Sequence, residues 1–125
     1  MTTPTGLTDV ALERLREAID SHDPQRVADC FTSDYRSEVP LHPDRSFVGN
    51  DHVLRNWTAM FARVPDITAR ILRSATGDDG TIWSEWEMSG TGPGGAAAAF
   101  AGPVIVTVRD GRIDWARFYL DAVES

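Results

Sequence analysis

Apolar residues recur at spacings of three and four through Val10, Ala11, Leu15, Ala18 and Ile19, while Glu13, Arg14, Arg16, Glu17 and Asp20 take the other side. That period predicts an amphipathic helix over about 8–21, starting at Thr8 or Asp9, whose apolar stripe packs on a neighbour. Asp23-Pro24 sets a capping carboxylate before a proline suited to the first helical position, which predicts a short second helix running through Val27, Ala28 and Phe31. Between Tyr35 and Val48 two prolines interrupt short apolar pieces, so a short edge strand near 35–39 gives way to a loop that carries His42. Asn50 or Asp51 then caps a third helix over about 51–63. Its stripe of Val53, Leu54, Trp57, Met60, Phe61 and Val64 stops before Pro65.

Beyond Pro65 the period shortens to two, predicting strands at about 67–75, 81–90, 97–108 and 112–120. Asp78-Asp79-Gly80 and Asp110-Gly111 supply hairpin turns from residues that tolerate a positive φ, and Gly92 to Ala96 makes a longer, low-complexity turn. Three helices followed by an antiparallel meander predict an α+β fold with the helices on one face of the sheet. Residues 1–8 read as a flexible tail before a single domain over 9–125, because 125 residues leave no room for a second core at roughly 100–200 residues per domain.

Charge narrows the partners. Nineteen acidic residues against twelve basic ones, all arginine, give a net charge of −7. Such a chain repels a phosphate backbone and an anionic lipid surface, so neither nucleic acid nor membrane is an expected partner. The opening MTTPTGL has no basic region or apolar run, and no stretch is long and apolar enough to span a bilayer. Cys30 is the only cysteine, which excludes an internal disulfide and agrees with a cytoplasmic address. It reads as a small buried hydrophobe rather than a nucleophile. His42 and His52 lack a third ligand at a recognised spacing, so no metal and no cofactor are expected.

Five segments carry a family resemblance: Cys30 to Tyr35 (CFTSDY), Pro40 to Pro43 (PLHP), Gly49 to Val53 (GNDHV), Ser89 to Gly92 (SGTG) and Asp110 to Asp121 (DGRIDWARFYLD). With the order of elements, they make residues 9–121 resemble the NTF2-like superfamily, in particular its SnoaL-like branch of polyketide cyclases, ketosteroid isomerases and limonene-type epoxide hydrolases. The resemblance implies a strongly bent sheet wrapped round the helices, forming a cone with a deep apolar pocket. Alternation then nominates its lining: Trp86 and Met88 on the second long strand, Phe100, Val104, Val106 and Val108 on the third, and Ala116, Phe118 and Leu120 on the fourth. Trp57, Met60 and Val64 close the cone from the third helix, and Val39 joins from the edge strand.

Function follows from what stands at the family's catalytic places. The epoxide-hydrolase branch needs two carboxylates and an arginine, yet the matching positions hold Trp86, Met88 and Phe118. The isomerase branch needs an aspartate before the edge-strand proline, where Val39 stands, and an acidic donor near Val104. Neither chemistry is expected. Near the mouth remain Arg36, Glu38 and His42, with His42 the best single candidate for a general acid or base and a solvated loop histidine the plain alternative. Glu38 has an exposed ion pair with Arg36 or Arg117 as its plain reading. Arg117, Tyr119 and Asp121 alternate away from Phe118 and are expected to support the fold or an interface.

Three readings compete. The first is a protein that binds an apolar polyketide, steroid or terpene-like molecule without a strong catalytic centre. The second is an isomerase, cyclase or hydrolase working through His42, with Glu38 or Arg36. The third is an interaction domain whose cone is filled by its own side chains. Trp83 among Glu85 and Glu87 on the outer strand face also predicts a homodimer.

Overall fold

The computed structural model describes residues 8–123. Its elements are α1 (Thr8–Ser21), α2 (Pro24–Ala28), β1 (Phe31–Glu38), a 3₁₀ turn (Pro43–Arg45), β2 (Phe47–Val48), α3 (Asn50–Arg63), β3 (Thr68–Thr76), β4 (Ile82–Thr91), a short 3₁₀ segment within the β4–β5 turn (Pro93–Gly95), β5 (Ala97–Arg109), β6 (Arg112–Phe118) and β7 (Asp121–Ala122). The expected tail over 1–7 lies outside the described residues, and Thr8 already belongs to α1.

The sheet runs β2-β1-β6-β5-β4-β3, with β7 also paired to β5. Four strands form the expected antiparallel meander, β3 to β6, and β1 joins β6 in parallel. Helices and sheet together give the α+β cone of the NTF2-like fold. Register shifts interrupt β1, β3 and the β5–β6 pair. Bulges of this kind increase local twist and bend a sheet, which is what wrapping it round helices requires.

Each element follows from local chemistry. In α2 the Asp23 carboxylate accepts the Gln25 backbone N–H at 3.0 Å with Pro24 at the first helical position. The β5–β6 turn uses Asp110 (φ 54°) and Gly111 (φ 81°), the positive-φ pair that a tight hairpin needs. Helix α1 buries Ala11, Leu12, Leu15, Ala18 and Ile19 against the sheet. Val10, expected in that stripe, is 45% exposed, because the apolar face is centred one position further on, where Leu12 is buried.

Two expectations for the second quarter of the chain are corrected. Phe31 opens β1 rather than ending α2, since α2 stops at Ala28 and Cys30 O accepts the Ile113 N–H, already part of the sheet. The 35–39 segment is not an edge: β1 begins at Phe31 and lies between β6 and β2, and β2 is the two-residue edge strand. A bulge between Phe31 and Arg36 breaks the alternation of CFTSDY, which hid the strand.

The strand pattern positions the interior. On β4, Ile82, Ser84, Trp86 and Met88 are buried, while Trp83 and Glu87 are exposed. Ser84 Oγ donates to Val104 O at 2.8 Å and accepts the Trp86 indole N–H at 2.9 Å, so this buried polar pair is satisfied and the Trp86 ring is fixed in orientation.

Candidate functional site

Inside the cone lies a cavity of about 260 Å³. Its walls come from α1 (Leu12, Leu15, Ile19), α3 (Trp57, Met60), β4 (Trp86, Met88), β5 (Phe100, Val104, Val106) and β6 (Ile113, Ala116, Phe118), with Phe31 at the start of β1. Leu120 and β7 close the remaining side. Among the described residues, the charged ones on the lining are Arg45 and Asp121. Apolar walls with a few polar groups grouped at one end are the usual form of a small-molecule site.

Among the sequence candidates, Trp57, Met60, Trp86, Met88, Phe100, Val104, Val106, Phe118 and Leu120 line this cavity. Val39 lies instead in a neighbouring recess with Tyr35, Ser37 and Phe47, separated from the main cavity by Phe31, Trp57, Phe118 and Leu120, which border both. Val64 is 4% exposed and borders a groove on the far side of Met60. Ala116 also lines it as expected and Val108 does not, while the lining residues of α1, together with Ile113, were not singled out from sequence as cavity walls. The signal was present in the helix periodicity, but that pattern says which face is buried and not what it faces.

The polar candidates are distributed differently. Arg36 is exposed on the outer face of β1. Glu38, also outward, accepts a hydrogen bond from Arg117 Nη1 at 2.8 Å. The Trp115 indole first, and Arg117 with it, hold its carboxyl below the usual carboxylate range. Both residues therefore sit on the convex side, away from the cavity, because Tyr35 and Ser37 take the inward positions of β1. His42 does not line the cavity, but its Nε2 lies 3.0 Å from Oδ2 of Asp121, which does.

Asp121 departs from its expected outward place. Strand β6 ends at Phe118, Tyr119 donates its backbone N–H to Pro103 O at 2.9 Å, and the chain resumes as β7 with Phe100 facing Ala122 and Ala101 facing Asp121. Tyr119 and Leu120 lie outside the strands, the register on β5 runs on unchanged, and both Asp121 and Ala122 border the cavity mouth. Gly102 permits this. Its φ is +144°, and a Cβ there would stand 2.5 Å from Tyr119 O. The His42 hydrogen bond, then the Ala122 backbone N–H, lower the Asp121 carboxyl below its ordinary value, and the charge of Arg45 adds to this. The mouth thus combines an ionised carboxylate, an imidazole donor and a guanidinium, a set able to hold or pass a proton beside an apolar body.

The remaining histidines serve the framework. His22 Nε2 lies 2.7 Å from Ile67 O, tying the α1–α2 corner to the approach to β3, and His52 stacks on Phe47 with ring centroids 4.1 Å apart. Cys30 is buried, and desolvation pushes its thiol up to about 11.

Comparison with known proteins agrees with this geometry. Similar solved structures include IdmH of Streptomyces antibioticus, described as a candidate polyketide cyclase, at 20% identity and TM-score 0.77, with 92% of each chain covered. AclR of Streptomyces galilaeus, described as a candidate hydroxylase, aligns at 10% identity and TM-score 0.78 over 94% of this chain and 81% of its own. A ketosteroid isomerase-like protein of Catenulispora acidiphila in complex with trimethylamine aligns at 15% identity and TM-score 0.73, covering 94% of this chain and 87% of that one. At these identities the likeness concerns fold alone. No curated protein matches the sequence. The SnoaL-like domain model matches residues 12–115, and the chain belongs to the SnoaL-like domain family.

Proposed function

We propose that this chain binds an apolar small molecule in the cone. The observation that carries the reading is the cavity of about 260 Å³, walled by aliphatic and aromatic side chains and charged only at its mouth. That volume is just under the roughly 300–1,000 Å³ of drug-sized sites, which favours a body the size of a monocyclic terpene or a single aromatic ring over four fused rings. Trp86, Met88, Phe118 and Val39 offer no acid or base for epoxide opening or ketosteroid isomerisation, so neither reaction is expected at enzymatic rates.

Trp57 and Trp86 border the cavity, so their fluorescence reports occupancy. Titration with citronellol, an uncharged terpene alcohol, is expected to saturate. A linear response that the Ala116→Leu variant leaves unchanged would remove the reading in favour of a filled interaction domain.

A second reading rests on the His42–Asp121 pair at the mouth: proton transfer to or from a bound carbonyl compound, as in isomerisation or cyclisation. In this version Asp121 meets the ligand and His42 acts through it, while Glu38 and Arg36 have no part. Turnover lost in both Asp121→Asn and His42→Ala, with citronellol binding kept, would support it. Turnover insensitive to both would reject it.

We also propose a homodimer through the convex sheet face, in a reducing, cytoplasmic setting. Trp83 is 53% exposed there, beside Glu85 and near Arg117 and Tyr119 across the sheet, and an exposed tryptophan on a charged face suits an interface. Light scattering at micromolar concentration is expected to give the mass of two chains, and Trp83→Glu to give one.

A further inference from the structure

Beside the cavity runs a groove of about 430 Å³, formed by the C-terminal half of α3, the 3₁₀ turn, the Gly92-Pro93 turn and the β5–β7 edge. It shares Arg45, Met60, Phe100 and Ala122 with the cavity, so the two spaces adjoin along one wall. Its polar lining is Arg45, Arg63 and Asn56, and none of its lining residues is acidic. Among the described residues neither guanidinium stands within 4.0 Å of a carboxylate, although the charge of Asp121 acts on Arg45 from the cavity side. Asp44 and Asp121 adjoin groove residues in sequence but do not line the groove; Asp121 lies on the cavity lining, is engaged by His42 and feels the charge of Arg45. In a chain of net charge −7, a groove whose lining, among the described residues, carries two arginines and no carboxylate is a local excess of positive charge.

We propose that the ligand is an apolar carboxylate, its hydrocarbon body in the cavity and its carboxylate in this groove between Arg45 and Arg63. The inference rests on the cavity-binding reading and adds the chemical class of the ligand. A planar carboxylate matches the guanidinium fork, and Asn56 offers a neutral amide donor on the same wall. Arg45 is the link between the spaces, because it lines both. An alcohol of the same body would leave both guanidinium groups hydrated, and an ammonium would be repelled by them.

The test compares three probes with one hydrocarbon body: citronellate, citronellol and citronellylamine, each titrated against the full chain at low salt. Citronellate is expected to bind about tenfold more tightly than citronellol, with citronellylamine the weakest. Arg63→Gln should reduce citronellate affinity about threefold to tenfold while leaving citronellol unchanged, since Arg63 borders the groove and not the cavity. Arg63→Lys should recover part of the loss. Arg55→Gln, an exposed change elsewhere on α3, should do nothing. Added salt should erode the preference for the acid, because both charges are exposed. Citronellol binding as well as citronellate, an amine that binds tightest, or a preference that survives Arg63→Gln overturns the carboxylate assignment and leaves the cavity reading standing. Failure of all three probes to bind overturns both.

Discussion

Replacing Ala116 by leucine asks whether the space at the centre of the cone is real. Ala116 is fully buried in β6, opposite Val106 on one side and Ser37 on the other, and its methyl borders the cavity. Leucine adds three carbons. At about 0.8 kcal/mol per buried methylene they contribute about 2.4 kcal/mol, less about 0.5–1 kcal/mol for the rotamer freedom lost. With room available, the variant should be more stable by about 1–2 kcal/mol. With an m-value of about 2 kcal/mol/M, the urea midpoint should rise by roughly half to one molar. Ala18→Leu is the control, because Ala18 is equally buried but does not line the cavity, and overpacking there should cost about 1–3 kcal/mol. Citronellol binding should be lost in Ala116→Leu alone. If Ala116→Leu destabilises as much as Ala18→Leu, the interior is filled and the argument from cavity volume fails.

Gly102→Ala should destabilise by about 2–5 kcal/mol in urea unfolding, since the new Cβ meets backbone at Tyr119 and the φ of +144° strains any L side chain. Ser84→Ala should cost about 1–3 kcal/mol and shift the Trp86 emission, because the buried indole N–H loses the Ser84 hydroxyl that accepts it. Cys30, its thiol raised to about 11 from an ordinary 9.0, keeps its contribution to stability below about pH 9 and loses it as the pH climbs to about 11, where only the unfolded chain ionises early. Denaturation midpoints read across that interval should fall, and less steeply in Cys30→Ala; equal slopes would contradict the assignment. Burial of Tyr35 acts in the same alkaline direction, so the variant should flatten the fall without abolishing it.

The parts of the fold visible in the sequence are those in which one period runs unbroken. On β4 the alternation from Ile82 to Met88 assigns every side chain to its face, and the Asp110-Gly111 turn fixes the β5–β6 hairpin. Most of the cavity wall follows from those two facts and from the stripe on α3. Where a bulge or a break enters, the pattern stops carrying information. The irregularity between Phe31 and Arg36 disguised the first half of β1, and Asp121 borders the cavity mouth although strand alternation assigns it the other face. Arg45 could not be nominated at all, because it comes from a loop whose path depends on the Pro43 turn and on Ser46 Oγ accepting the Val39 N–H. His42 stood out by residue type, yet its relation to the site runs through a residue 79 positions away.

The break between β6 and β7 has a consequence for how such a domain diversifies. The register on β5 is the same before and after it, Val104 facing Phe118 and Phe100 facing Ala122, so the sheet is not altered by whatever the two intervening residues do. At the cavity mouth Arg45 comes from the Pro43–Arg45 turn and Asp121 from this short return, whereas most of the apolar wall, and Arg63 beside it, come from continuous helices and strands. Substitutions at 121 and within 43–46 can therefore change the charge at the mouth while the apolar wall is inherited unchanged. Libraries confined to those two short segments would sample new chemistries on a constant scaffold.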